Sequence, residues 1–555
     1  MAEGGGLVAF HYVADSDGYE VLWKSTQSDG TSDSFPGTSL YRWAGPSIAD
    51  IMGDGRPEIL LDGAVYSPDG VLLSAFPGWS GYQQGVFPVV ADADMDGKPD
   101  VFFGPQPYEV FEEGETLVAK TTYSGEETLG HIALADFGAY GGVGGILPDE
   151  AAEIARVHSG AVSLLDLTGQ VLWGPVSLPG GGTGGPPTVA DFDGDGKPEI
   201  AAAGATAYTV FDMDCIETPL PEECDSPGVL WSQASQDQSS NKTGSSVYDF
   251  EGDGQAEAVY GDECFLRVYN GASGEVIFSA PRSSCTWHEM PIIADVDGDY
   301  RTEIVIGSNL NCSVSCPTLD PIFGGLRCDE NQQCASGSCV AGLCRCTSDE
   351  ECSEGTLCGA PLEDDGFGQV CRAAHTGKKQ GIHILTDAKD SWVYSRPIWN
   401  QHAYFATNVN DDGTIPPRDQ VQTNWTTSGM NHFRQNAQGA ANPVLAADLT
   451  VEFPEPPLCI QGTLQWELEV CNRGALPAAS GVDVSILVDD VATVTSTQFD
   501  LLPGDCEALP GSLSLNSEIW SGSLYATVDG VDGGSILECL ESNNQTSVFG
   551  VECGN

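Results

Sequence analysis

The residues of this chain best suited to chemistry are carboxylates held in short loops. Asp92, Asp94, Asp96 and Asp100 form one set, and Asp191, Asp193, Asp195 and Glu199 a second. Asp249, Glu251, Asp253 and Glu257 form a third, and Asp295, Asp297, Asp299 and Glu303 a fourth. Alternating acidic side chains in a tight turn converge on one point, where a hard cation such as calcium takes about six to eight oxygens at roughly 2.3–2.6 Å. The backbone carbonyls of Lys98, Lys197, Gln255 and Arg301 are placed to complete each shell, and a glycine such as Gly97 permits the sharp turn. Four carboxylates without a cation would repel one another, so the metal is expected to be structural. A further loop keeps Asp50, Asp54 and Glu58 but has Met52 where an oxygen belongs, so lower occupancy is expected there. In the last loop Tyr300 replaces the glycine, which costs turn freedom and removes no ligand. The expected cofactor is Ca2+, about four or five ions. Solvated acidic turns would not repeat so closely, and EF-hand loops would be followed by helices rather than strand-like runs.

These loops must be positioned by a repeat. Their first carboxylates, with a degenerate member at Asp136, are separated by 42, 44, 55, 58 and 46 residues. A four-stranded propeller blade repeats at roughly 40–50 residues. The unit at Asp136 runs into a Gly-rich stretch before Glu153 and is expected to bind nothing. Hairpin-like runs alternate with the loops at 18–23, 70–73, 108–118, 169–173, 228–231, 274–278 and 390–394. Seven hairpins against six loops leave one inner strand missing, and 396–407 (RPIWNQHAYFAT) stands where it would close the ring. The expected fold is all-β: a seven-bladed β-propeller over 1–410, or eight-bladed if an upstream piece is missing. A disulfide-rich insert (312–371) interrupts the last blade; a linker (411–443) and an immunoglobulin-like β-sandwich (444–555) follow.

An apolar strand, then Asp-x-Asp-x-Asp-Gly-x-x-Glu, then an apolar run such as Glu199-Ile200 resembles the FG-GAP and VCBS repeats of integrin α-subunit propellers and their bacterial relatives. The resemblance covers about 400 residues and implies a calcium-dependent propeller. Near the C-terminus, Ala447-Asp448-Leu449, Asn472-Arg473-Gly474, Leu502-Pro503-Gly504 and Glu541-Ser542-Asn543-Asn544 resemble the CARDB modules of bacterial surface proteins, which implies adhesion or display.

Composition narrows the partners. With 81 acidic against 21 basic residues, a net charge of -60 excludes nucleic acid and anionic membrane surfaces. Nineteen cysteines, eight of them between Cys328 and Cys371, point to an oxidising compartment, so an extracellular or cell-surface location is expected. The N-terminus lacks the basic and apolar regions of a signal peptide, and no stretch is apolar enough for a transmembrane helix. Cys328, Cys334, Cys339, Cys344, Cys346, Cys352, Cys358 and Cys371 read as a knot of four disulfides, with on the order of a hundred pairings open. Zinc is the weaker reading, because Cys-x-x-Cys pairs are absent. Cys215 with Cys224 and Cys264 with Cys285 are expected as local staples; Cys459, Cys471, Cys506, Cys539 and Cys553 leave one cysteine over.

Catalytic signatures are missing: there is no Gly-x-Ser-x-Gly and no His-Glu-x-x-His, and the glycines at 180–185 lack a following Lys-Ser/Thr. His288 and His402 are expected to pack near the propeller's central channel. The function expected is a secreted or surface calcium-binding adhesion or ligand-binding protein, non-catalytic, recognising a protein or glycan. The alternative is a calcium-dependent propeller lyase or glycosidase acting on polysaccharide.

Overall fold

The computed structural model describes residues 7–13, 18–30, 45–61, 63–75, 87–111, 116–125, 129–138, 150–216, 219–297, 301–328, 330–362, 366–387, 392–438, 447–454, 456–460, 462–474, 477–488, 491–502, 504–515, 520–530, 536 and 544–553. The architecture is all-β, its only helical elements among the described residues being short 3-10 turns.

The sequence repeat becomes a series of antiparallel meanders. The first sheet comprises Ser47–Ala49, Glu58–Leu61, Ala64–Tyr66 and Leu72–Ala75. The second comprises Val89–Ala91, Asp100–Phe102, Pro107–Phe111 and Thr116–Ala119, and the third His131–Ala135, Glu153–His158, Ala161–Leu165 and Val171–Ser177. The fourth comprises Thr188–Ala190, Glu199–Ala203, Ala207–Phe211 and Trp231–Ala234, and the fifth Ser245–Tyr248, Glu257–Gly261, Phe265–Tyr269 and Val276–Pro281. The sixth has three described strands, Ile292–Ala294, Glu303–Ser308 and Gly381–Leu385. A separate hairpin, Val8–Val13 with Gly18–Lys24, leans on the first sheet, where Thr26 bridges Val71.

First strands such as VVA and TVA are short, apolar and buried throughout, because each is covered by neighbouring sheets on both faces. They pack sheet against sheet: first on second, third on fourth, fourth on fifth and fifth on sixth. Hydroxyls at their beginnings tie neighbours together. Ser47 Oγ donates to the Pro88 carbonyl at 2.5 Å and Thr188 Oγ1 to the Ser245 carbonyl at 3.0 Å.

Three expectations change here. The strand that continues the sixth sheet is Gly381–Leu385, paired with Glu303–Ser308, and not the hairpin at 390–394, whose first two residues lie outside the described ones. The segment 396–407 is not a strand, and the described part of 411–443 is not a free linker. Together, 396–438 crosses the inner strands of five sheets. Gln401 Oε1 accepts from Ile48 N at 3.0 Å, and Asn424 Nδ2 donates to the Leu134 carbonyl at 3.2 Å. Asn431 pairs both ways with Asp136, Phe433 pairs both ways with Val189, and Asn436 Nδ2 reaches the Ile293 carbonyl at 2.9 Å. Phe405, Trp425, Phe433 and Arg434 are buried. Side-chain amides supply what a regular ladder otherwise would, so the segment satisfies strand ends without becoming a strand.

The insert pairs Cys328–Cys339 with Cys334–Cys344, then Cys346–Cys358 with Cys352–Cys371: two interleaved couples in succession. Cys215–Cys224 forms as expected, but Cys264 joins Cys316 and Cys285 joins Cys312. The chain leaving the sixth sheet returns over the fifth, which brings distant cysteines nearer than the sequence neighbour. The same return places Asp320 on Arg267 through two hydrogen bonds of 2.7 and 3.1 Å, with Asp262 on a third guanidinium nitrogen at 2.6 Å, all buried. Removing one member would leave a buried charge unpaired, so the trio fixes the root of the insert to the fifth sheet.

The C-terminal unit has two four-stranded sheets. Leu449–Glu452, Leu458–Ile460, Thr463–Asn472 and Cys506–Ser514 form one; Asp483–Val488, Val491–Ser496, Trp520–Val528 and Gln545–Cys553 form the other. Alternate residues such as Leu464, Trp466, Leu468 and Val470 meet Val484, Ile486, Leu524 and Ala526 in one core. Cys471–Cys506 links directly opposed strands, and Cys459 is disulfide-bonded as well. Among the described residues no helix is long and apolar enough to cross a membrane, a statement that does not bear on β-barrels.

Candidate metal centres

Each acidic loop joins the first strand of a sheet to its second. The carboxylate that opens the second strand accepts the backbone N–H just after the first strand's terminal Asp. This holds for Glu58 with Ile51, Asp100 with Ala93, Glu153 with Phe137, Glu199 with Phe192, Glu257 with Phe250 and Glu303 with Val296, at 2.7–3.3 Å. The leading Asp folds the turn by accepting from its far side: Asp191 from Gly194 and Gly196, Asp249 from Asp253 and Gly254, Asp92 from Asp96 and Gly97. Gly97, Gly196 and Gly254 have φ of 84, 86 and 90°, so the turn needs glycine there. The third Asp then accepts from the residue two further on, Lys98, Lys197 or Gln255. The degenerate unit at Asp136 keeps the same frame, with Asp136 accepting from Gly138 and Glu150.

The frame turns carboxylate oxygens toward one another. Oxygens of Asp92, Asp94 and Asp96 all lie within 4.8 Å of each other. Burial, with Glu251 beside it, pushes Glu257 up to about 10, and burial raises Glu58 to about 7 and Asp249 to about 6. Glu199, more deeply buried, is raised well above the usual range. A donor set of hard oxygens that burial disfavours as anions fits a calcium ion, whose charge would reverse that preference.

The loops differ in what else reaches them. Lys120 Nζ lies 2.7 Å from Asp94 and 2.6 Å from Asp100, an ammonium inside the second loop. Lys197 pairs with Asp195 and with Asp214, which flanks the Asp191 loop of the fourth sheet. In the first loop Arg418 donates its backbone N–H to Asp50 at 3.0 Å and a guanidinium nitrogen to the Ile51 carbonyl at 3.3 Å, beside the place where Met52 removes an oxygen. Among the described residues no basic side chain pairs with Asp249, Glu251, Asp253 or Glu257, so the fifth sheet's loop is the candidate with no competing cation. In the sixth, Asp295 and Glu303 are buried, Asp299 lies outside the described residues, and the Arg301 side chain reaches Glu452 of the C-terminal unit at 2.7 Å. Lys120, Arg418 and Asp214 were not foreseen: they come from a later strand end, from the supposed linker and from a neighbouring turn.

A direct consequence concerns the second loop. Lys120→Met should raise its calcium affinity about tenfold or more, because an ammonium bound to two of the ligands must otherwise leave. Calorimetric titration of the two proteins checks this, and unchanged binding would mean that Lys120 and the metal do not compete.

At the opposite end of the first strands, side chains from separate sheets meet. Phe87, before the second sheet, stacks on His402 with ring centroids 3.5 Å apart and lies 5.1 Å from His288, before the sixth. His131, which opens the third sheet, is 5.2 Å from His288. Gly45 and Gly244 also border this cluster: a Cβ on Gly45 would come 3.1 Å from the Phe87 ring, and one on Gly244 would make ordinary contact with His402 Cε1 at 3.7 Å. His288 and His402 are buried, as expected, and His402 Nε2 lies 3.0 Å from the His288 carbonyl. Desolvation pushes His288 down to about 3, and His131 and His402 well below the usual range, so these rings are neutral. His131 had a sequence signal: it occupies, five residues before the leading Asp, the place of Gly45, Phe87, Pro186, Gly244 and Met290 in the other units.

No family model matches this chain, and no curated protein matches it. Among solved structures it is similar to the biofilm matrix protein Bap1 of V. cholerae, with 15% identity, a TM-score of 0.48, and 76% of this chain and 79% of that one covered. The CARDB domain of PF1109 from Pyrococcus furiosus aligns with 19% of this chain and 95% of its own at 22% identity and a TM-score of 0.17. The WD40 domain of SCAP from fission yeast covers 91% of this chain and 93% of its own at 8% identity and a TM-score of 0.25. These similarities are too low to identify the fold or function of the chain.

Proposed function

We propose that this chain is an extracellular, non-catalytic adhesion or ligand-binding protein built on a calcium-stabilised β-propeller. The observation that carries the reading is the fifth sheet's loop, where four carboxylates share one turn with no basic side chain among the described residues to neutralise them. Such a cluster is costly unless a cation completes it. The bond from a backbone N–H after the leading Asp to the carboxylate that opens the second strand recurs at the same junction in six sheets, in keeping with the FG-GAP and VCBS resemblance. Ring closure is supported by the meeting of Phe87, His131 and His288 within about 5 Å, as expected of second, third and sixth sheets that radiate from a common axis. The segment 396–438 then plugs that axis, and the Val8–Val13 hairpin belongs to a further blade. Eight described disulfides indicate an oxidising compartment. The C-terminal sandwich serves as spacer or second adhesive module.

The test is retention of the purified protein on bacterial cell surfaces and matrix extracts with calcium and after chelation. Binding that chelation abolishes supports the reading; binding to nothing in the calcium-loaded state removes it.

A further inference from the structure

We infer that the face carrying the acidic loops holds a binding site for a neutral glycan of two or more sugar residues, between the first two sheets and the axial segment. This rests on the reading of the chain as a non-catalytic ligand-binding protein and names the ligand class of that protein. The site is a cavity of about 400 Å³, within the range of small-ligand pockets of roughly 300–1,000 Å³. Its walls are mainly apolar, from Val90, Ala91, Phe405, Ile415 and Val421. In the same wall lies Asn408, a buried amide whose donor and acceptor atoms both lack a hydrogen-bond partner. Unpartnered buried amides are uncommon in folded proteins and point to a missing polar group.

A second cavity of about 380 Å³ shares Pro416 with the first and is lined by Thr407, Asn410, Gln420 and Gln422 among others. Thr407 Oγ1 is likewise buried and unpartnered. The axial segment therefore presents an apolar surface on one side and hydroxyl and amide groups on the other. An apolar wall suits the C–H face of a pyranose, and amides that both donate and accept suit its hydroxyls. Charge selects further. The net charge of -60 repels anionic polymers, and in the first cavity Lys98 and Arg418 stand among Asp50, Asp92 and Asp419, so its lining carries no strong charge of either sign. A nearly balanced, mainly apolar lining with an unpartnered amide suits a neutral, hydroxyl-rich chain.

The experiment is calorimetric titration of the full, calcium-loaded protein with cellobiose, maltose and lactose, repeated on Val421→Trp and Asn408→Ala. Val421 is 36% exposed, so the larger side chain fills the cavity mouth without entering the core. Saturable binding of at least one sugar, weakened about tenfold or more by each variant, with the calcium-induced rise in thermal midpoint kept, is the expected result. Absence of binding by all three sugars, or binding undiminished in both variants, overturns the site. Cleavage of a bound disaccharide would instead overturn the non-catalytic reading and leave the site standing.

Discussion

Chelating calcium at pH 8 should lower the thermal midpoint of this protein by about 10 °C or more. A ligand held only by the folded state stabilises it by about 4 kcal/mol per site when free ligand exceeds Kd a thousandfold, and several loops would act together. The effect should shrink as pH falls toward 5, and the direction follows from the carboxylates. Glu58 is raised to about 7 and Glu257 to about 10 in the folded, metal-free chain. A group raised in this way contributes stability below its unfolded value of about 4.5, and that contribution is lost as pH rises through the folded value. The metal-free protein is thus penalised at pH 8, where its carboxyls must either hold protons against the solution, as Glu257 does, or repel one another, and calcium removes that cost; at pH 5 the penalty is much smaller because protons are readily supplied. The buried histidines oppose this on the acid side. His288 and His432 are lowered to about 3 and about 4 by burial, so their stability is present above about 6.5 and lost on acidification. Calorimetric scans from pH 5 to 8, with calcium and with chelator, together with a metal count, check all of this. No bound metal and no midpoint shift at pH 8 would mean that the loops are only solvated turns.

The second large effect concerns the segment 396–438. Phe433→Ala should destabilise the protein by about 3–5 kcal/mol, the usual cost of emptying a well-packed aromatic site. The ring is fully buried, 5.6 Å from Phe405, with the Arg434 guanidinium 5.0 Å above it, and its backbone pairs both ways with Val189 of the fourth sheet. Val421→Ala, on the same segment but exposed, should change stability by no more than about 0.5 kcal/mol. Denaturant midpoints separate the two. If Phe433→Ala unfolds with the parent midpoint, or if protease cuts 411–438 while the sheets remain folded, the segment is a tether after all.

Much of this molecule is local, and what is local could be read directly from the residues. An acidic turn of this kind places its carboxylates within nine positions, so spacing alone located every loop, and period-two alternation located the C-terminal strands. The insert's eight cysteines were legible as four disulfides because they are close in sequence and lack an aliphatic core to rival them. Partners far along the chain were not legible. Lys120 enters the second loop from the end of the second sheet, and Arg418 enters the first from a stretch whose polar composition reads as linker. Cys264 finds Cys316 rather than Cys285 because the chain folds back over the fifth sheet. The amides of 396–438 look like loop residues until the inner strands offer them carbonyls and N–H groups. Sequence by itself determined the repeat, the carboxylate sets and the disulfide-rich character, all encoded in short-range spacing. Only tertiary structure decided which loops carry their own ammonium or guanidinium, which cysteines meet and what the segment 396–438 packs against, because those depend on distances between residues that the chain separates by up to several hundred positions.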